Sequence, residues 1–159
     1  MDIKYLIKLR DNPTISWVSQ NVTFDRTQMA MEEIETLEAS YNHGDIFPAA
    51  LRELLFLAGK HCYVLDYGIY DTQSEMQEAV RSWLPDHNKQ ISRRFFAIDV
   101  YNAYDQFVLI YLDEGVDDPQ VYEAALYSKE TIWIEALDYK LSEFIDKLII
   151  RLLSGYNPF

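Results

Sequence analysis

Two stretches interleave carboxylates with phenol rings: Asp66-Tyr67-Gly68-Ile69-Tyr70-Asp71 and Asp99-Val100-Tyr101-Asn102-Ala103-Tyr104-Asp105. The chemistry open to such clusters is recognition. A tyrosine ring offers a large contact area and loses little conformational entropy when it is fixed. An aspartate beside it adds charge that steers a basic partner and speeds association. Asp66, Tyr67, Tyr70, Asp99, Tyr101, Tyr104 and Asp105 are therefore the candidate protein-binding residues. Asp117 and Asp118 join them as a rim, from the densest acidic stretch, Asp113-Glu114-Gly115-Val116-Asp117-Asp118-Pro119. Two plainer readings stand beside these. Half of the tyrosines pack in the core with a wet hydroxyl, and the acidic stretch is a solvated turn built from Asp, Gly and Pro.

Catalytic and metal chemistry finds less to use. His61-Cys62 is the sole Cys/His neighbour pair, and adjacent strand residues point to opposite faces. His43 and His87 fall in predicted loops without ligand partners at metal spacing. The acidic stretch lacks the alternating oxygen ligands and distal Glu of a calcium loop. Cys62 as a nucleophile needs a base and a cleft; the alternative is a buried structural cysteine. The chain carries no Gly-rich phosphate loop and no nucleophile elbow. The reading is non-enzymatic, with no cofactor and no metal. An enzyme using a carboxylate pair stays open, and it requires a deep pocket of clustered, perturbed carboxylates.

The charge balance narrows the partners. The chain has 26 Asp and Glu against 14 Lys and Arg, a formal net charge of −12 over 159 residues. Nucleic acid demands a positive footprint, so it is excluded, and so are anionic membranes. A basic protein partner, or simple solubility, accounts for the excess acid. The single cysteine forbids an internal disulfide and fits a reducing compartment. The N-terminal residues carry charges at Asp2, Lys4, Lys8, Arg10 and Asp11, which interrupt any signal-peptide core. No apolar run approaches the ~20 residues of a membrane span. The expected location is the cytoplasm.

The elements that must position these residues follow from periodicity. A short helix over 3–10, capped by Asp2, is expected to end at Asn12-Pro13, and 14–26 alternates weakly like a strand. Thr27 to Tyr41 reads as a helix with Ile34, Leu37 and Tyr41 as its apolar stripe, stopped by Asn42-His43-Gly44. A second helix starts at Pro48 and ends at Gly59, burying Leu51, Leu54, Leu55 and Ala58. A strand is expected at Cys62–Leu65, then a helix from Thr72 or Ser74 to Pro85. From Arg94 the period becomes strand-like, with Phe96, Ile98 and Val100 on one face and Phe95, Ala97, Asp99 and Tyr101 on the other. Gln106–Leu112, Val121–Ser128 and Thr131–Ala136 follow on connectors too short for parallel crossovers, which predicts an antiparallel meander. Leu141–Leu153 closes the chain as an amphipathic helix. The fold class is α+β, an antiparallel β-meander packed against N-terminal and C-terminal helices. The exposed edges of a meander allow a monomer or a weak homodimer.

The stretch MEEIETLEASYNHGDIFPAALRELLFLAG, residues 31–59, resembles the opening of the SUKH superfamily, which holds the yeast cell-wall assembly regulator and many bacterial immunity proteins. The matching pieces are Ile34-Glu35-Thr36-Leu37-Glu38, Phe47-Pro48, Leu51-Arg52-Glu53-Leu54-Leu55-Phe56-Leu57, Gly59, and Leu141-Ser142-Glu143-Phe144-Ile145 in the closing helix. The resemblance covers residues 27–153. Asn102-Ala103-Tyr104-Asp105 departs from it, standing where the family often has a Gly- and Asp-rich loop. It implies one SUKH-like domain over 1–159, with 1–26 as an N-terminal extension, and a non-enzymatic immunity protein that neutralises a basic toxin domain by stoichiometric binding. A regulatory or scaffold domain that binds a host protein is the alternative.

Overall fold

The computed structural model describes residues 1–17, 20–66, 69–101 and 106–156. The period-two stretch from Phe95 onward forms four strands: β4 (Phe95–Tyr101), β5 (Gln106–Tyr111), β6 (Gln120–Ala125) and β7 (Ile134–Lys140). They lie in the order β4-β5-β6-β7, each antiparallel to its neighbour, as the short connectors require. β5 is buried along its whole length, so both faces of the sheet are covered at this strand.

The helices come from the other period. They are α1 (Ile7–Asp11), α2 (Met31–Tyr41), α3 (Ala49–Ala58), α4 (Gln73–Asp86) and α5 (Leu141–Leu153). α2 begins at Met31 rather than at Thr27, where the Glu33 carboxylate accepts the Ala30 N–H at 2.9 Å. α4 is capped at Thr72, whose hydroxyl accepts the Glu75 N–H at 3.1 Å. α3 ends at Gly59 with an ordinary right-handed φ of −68°. A Cβ there would lie 2.5 Å from the Leu55 carbonyl oxygen and 2.9 Å from the Met29 Cβ, so close packing excludes a side chain.

Four of the described residues before Thr27 are built into the core: Ile3, Leu6, Leu9 and Ile15. Leu6 and Leu9 are fully buried and Ile15 nearly so. The weakly alternating segment forms a hairpin, β1 (Thr14–Trp17) with β2 (Val22–Thr27), paired Ile15 to Phe24 and Trp17 to Val22. β2 also pairs with β3 (His61–Cys62), which gives a second sheet of order β1-β2-β3. The Trp17 indole N–H reaches the Leu152 carbonyl at 2.9 Å, and Lys8 meets Asp146 at 2.9 Å, so both parts of this segment hold α5. The helix expected from residue 3 starts only at Ile7. The backbone N–H groups of Lys4, Tyr5 and Leu6 donate instead to the buried carboxylate of Glu53, at 2.8, 2.8 and 2.9 Å.

One outer edge of the four-stranded sheet is covered by α4. The side-chain amide of Gln77, fully buried, donates to the Ala97 carbonyl at 2.7 Å and accepts the Ala97 N–H at 3.0 Å. It occupies the position of a neighbouring strand's peptide group. Arg81 adds a bond to the Phe95 carbonyl at 2.8 Å. Among the described residues, no helix is long and apolar enough to cross a membrane.

Candidate functional site

The site begins with an irregularity in β4. Ala97 pairs with Leu109, but the next pair is Asp99 with Val108, so the register slips by one residue and Ile98 has no opposite number. Such a bulge carries every later side chain to the other face. Strict alternation placed Asp99 and Tyr101 with Phe95 and Ala97. The slip corrects this: Asp99 and Tyr101 share a face with Phe96, and Val100 joins Phe95 and Ala97.

That face meets α5. Val108 of β5 and Glu123 of β6 are paired neighbours on it, beside Asp99. Across from them, α5 presents Phe144, Leu148 and Arg151. Leu137 of β7 and the segment Val64–Asp66 close the sides. Together these residues line a cavity of about 420 Å³. It explains why Phe144 and Leu148, both on the expected apolar stripe of α5, are only half-buried while Leu141, Ile145, Ile149 and Leu152 are sealed.

Among the described residues, three carboxyl groups line this space: Asp66, Asp99 and Glu123. Asp99 is nine-tenths buried. Its Oδ1 accepts the backbone N–H groups of Asp66 at 2.7 Å and Val100 at 3.0 Å. Among the described residues, nothing donates to its Oδ2. Burial pushes the Asp99 carboxyl up to about 7; the two backbone donors pull it down but are outweighed, and the nearby charge of Asp66 adds to the rise. Burial also raises Asp66. Glu123 accepts Gln106 Nε2 at 3.0 Å and bonds the Tyr101 hydroxyl. Burial first, then the charge of Glu123, holds the Tyr101 phenol well above its usual range. Arg151 is the single cation of the lining.

A second cavity of about 300 Å³ adjoins the first along β6 and β7, and Glu123 and Leu137 line both. Its other walls include Tyr127, Trp133, Glu130 and Glu135, and Tyr127 and Ile132 are exposed there.

The candidate residues divide on this geometry. Asp66, Asp99 and Tyr101 come together in the larger cavity. Tyr67, Tyr104 and Asp105 lie outside the described residues. Tyr70 is half-buried against the core. Asp117 is exposed and accepts the Tyr5 hydroxyl at 3.3 Å. Asp118 binds both Ser142 N–H and Oγ, at 3.0 and 2.6 Å, and so ties the β5–β6 connector to the first turn of α5. The acidic stretch is a bonded turn: Asp113 pairs with Arg93 at 2.6 Å, and Glu114 accepts the Tyr122 hydroxyl at 2.9 Å. Glu123, Phe144, Leu148 and Arg151 were missed. The one available sign was a glutamate inside an otherwise apolar strand. Cys62 is fully buried and lines neither cavity. Among the described residues no group of three His, Cys, Asp or Glu side chains is placed to hold a metal.

Comparison with known proteins gives no match to a family model, to a curated protein or to a solved structure.

Proposed function

We propose that this chain is a non-enzymatic protein-binding module, an immunity protein of the SUKH type that neutralises a basic toxin domain by stoichiometric occlusion. The observation that carries the reading is the pair of adjoining cavities sharing Glu123 and Leu137. They gather Asp66, Asp99, Glu123, Glu130 and Glu135 along one groove with Tyr101, Tyr127 and Trp133. Carboxylates steer a basic surface into place, and aromatic rings hold it. The net charge of −12 extends the same field beyond the groove. The resemblance read from residues 27–153 supports the SUKH part of the reading, and that stretch holds α2, α3, the four-stranded antiparallel sheet and α5.

The test is a toxicity rescue. The gene adjacent to this one is expressed alone, then with this chain. Restored growth and a co-purifying one-to-one complex are expected. Toxicity without rescue or binding overturns the immunity reading and favours the regulatory or scaffold domain, whose partner is a host protein. The raised carboxyl of Asp99 beside Asp66 and Glu123 favours a second reading, a carboxylate-based acid catalyst. Turnover of any substrate that depends on Asp99 with an apparent pKa near 7 would replace binding with catalysis.

A further inference from the structure

The larger cavity is lined by both carboxyl groups and apolar side chains, and its lining is acidic beyond what its own cation balances. Three carboxyl groups face one arginine, and Arg151 forms no ion pair with them among the described residues. Asp99 is the innermost of the three, and its Oδ2 is left for a donor that the described chain does not supply. Oδ2 is not sealed, and Asp99 lines the cavity, so an incoming donor can reach it. Phe144 and Leu148 line the same cavity and are half-buried. At about 420 Å³ the space sits near the low end of ligand pockets, which suits one long side chain rather than a bulky cofactor.

We propose that this cavity is the anchor pocket for a single basic side chain of the partner, a lysine or arginine. Its alkyl stem lies on Phe144 and Leu148, and its charged head meets Asp99, Asp66 and Glu123. Long cationic side chains divide themselves in this way, apolar stem on apolar wall and head at the polar end. The inference rests on the protein-binding reading only for the source of the side chain; the pocket's preference for an alkyl cation is its own property.

The experiment uses the full chain and n-butylammonium and n-butylguanidinium as probes, with 1-butanol as the neutral control. Saturable amide shifts are expected at Asp66, Val100, Tyr101 and Glu123 in nitrogen-correlated spectra with either cation, and none with butanol. The double variant Asp99→Asn with Glu123→Gln keeps acceptors for the backbone donors and is expected to weaken cation binding about tenfold. Phe144→Trp, which fills the slot and leaves the carboxyls in place, is expected to abolish it. Absence of saturable shifts, equal binding of butanol, or equal binding by the double variant overturns the pocket. Cation binding without any toxin rescue leaves the pocket standing and removes the immunity reading. Rescue that is undiminished in a double variant blind to the cations leaves the immunity reading standing and overturns the cavity as the anchor for a side chain of the partner.

Discussion

The backbone N–H of Asp66 donates to Oδ1 of Asp99 at 2.7 Å, across 33 positions of sequence. That bond fastens the segment after β3 to the bulged strand β4 and builds one wall of the cavity. It also fixes what Asp99 is. Two backbone donors on one oxygen favour the ionised carboxylate, and burial outweighs them.

Stability should therefore fall as pH rises through the Asp99 window. The unfolded carboxyl titrates near ~3.9, and the folded one is pushed up to about 7. Between those values the folded state holds the extra proton, so raising the pH progressively destabilises it, with the full loss reached above about 7. At about 1.4 kcal/mol per unit the loss amounts to at most about 4 kcal/mol. Asp99→Asn keeps an acceptor for Asp66 and Val100 and removes the titration. In urea melts at pH 5 and pH 8, the variant should gain on the natural chain only at the higher pH. An equal difference at both would show that Asp99 ionises normally.

The same titration should appear in binding. Among the described residues, the titratable and charged groups that line the cavity with Asp99 are Asp66, Tyr101, Glu123 and Arg151. A cation in the cavity favours the ionised form of Asp99, so n-butylammonium should bind more tightly at pH 8 than at pH 6 and release protons on binding. Calorimetry in two buffers of different ionisation enthalpy reads that release, and identical heats would exclude it.

Glu53 holds the N-terminal segment. Glu53→Ala leaves the N–H groups of Lys4, Tyr5 and Leu6 without their acceptor, at a cost of about 3 kcal/mol. Hydrogen exchange should rise at those three amides well before it rises in α5. Unchanged exchange there would mean that residues 4–6 find other partners.

Asp118 and Glu123 should separate stability from association. Asp118→Ala removes the acceptor at the start of α5 and should lower stability by about 1 kcal/mol while leaving the rate of partner binding unchanged. Neutralising Asp66, Glu123 and Glu135 together should slow association several-fold and flatten its salt dependence. Stopped-flow rates at two salt concentrations decide it; equal slopes before and after would sink the steering argument.

Gln77→Ala should expose the outer edge of β4. The Ala97 N–H and carbonyl lose both partners, at about 2 kcal/mol, and the freed edge should raise self-association. Light scattering would show larger species in the variant, and a monodisperse variant would show that α4 shields the strand without Gln77.

Sequence periodicity carried the helices and the meander because both depend on local burial patterns. α5 matches its expected span, Leu141–Leu153, and β4 to β7 form the expected antiparallel order. The cavity was harder to foresee. Its composition depends on the slip at Ile98, and one unpaired residue leaves no mark in a stretch where every position from Phe95 to Val100 is buried. Asp66, Asp99 and Tyr101 were picked for their residue types, while Glu123 and Phe144 reach them only through sheet pairing and helix packing. The bond from Tyr5 to Glu53 spans 48 positions, beyond any local signal. Asp118 reads in the sequence as a rim charge, because a cap contributed from another loop cannot be seen without the fold.

The covered edge of β4 limits how the four-stranded sheet could grow. With α4 bonded to β4 at Phe95 and Ala97, β7 is the other outer strand of this sheet among the described residues. Pairing of β7 with β7 of a second copy would be self-complementary, both protomers using the same strand about a two-fold axis, and would leave each α4 on the outside of the joined sheet.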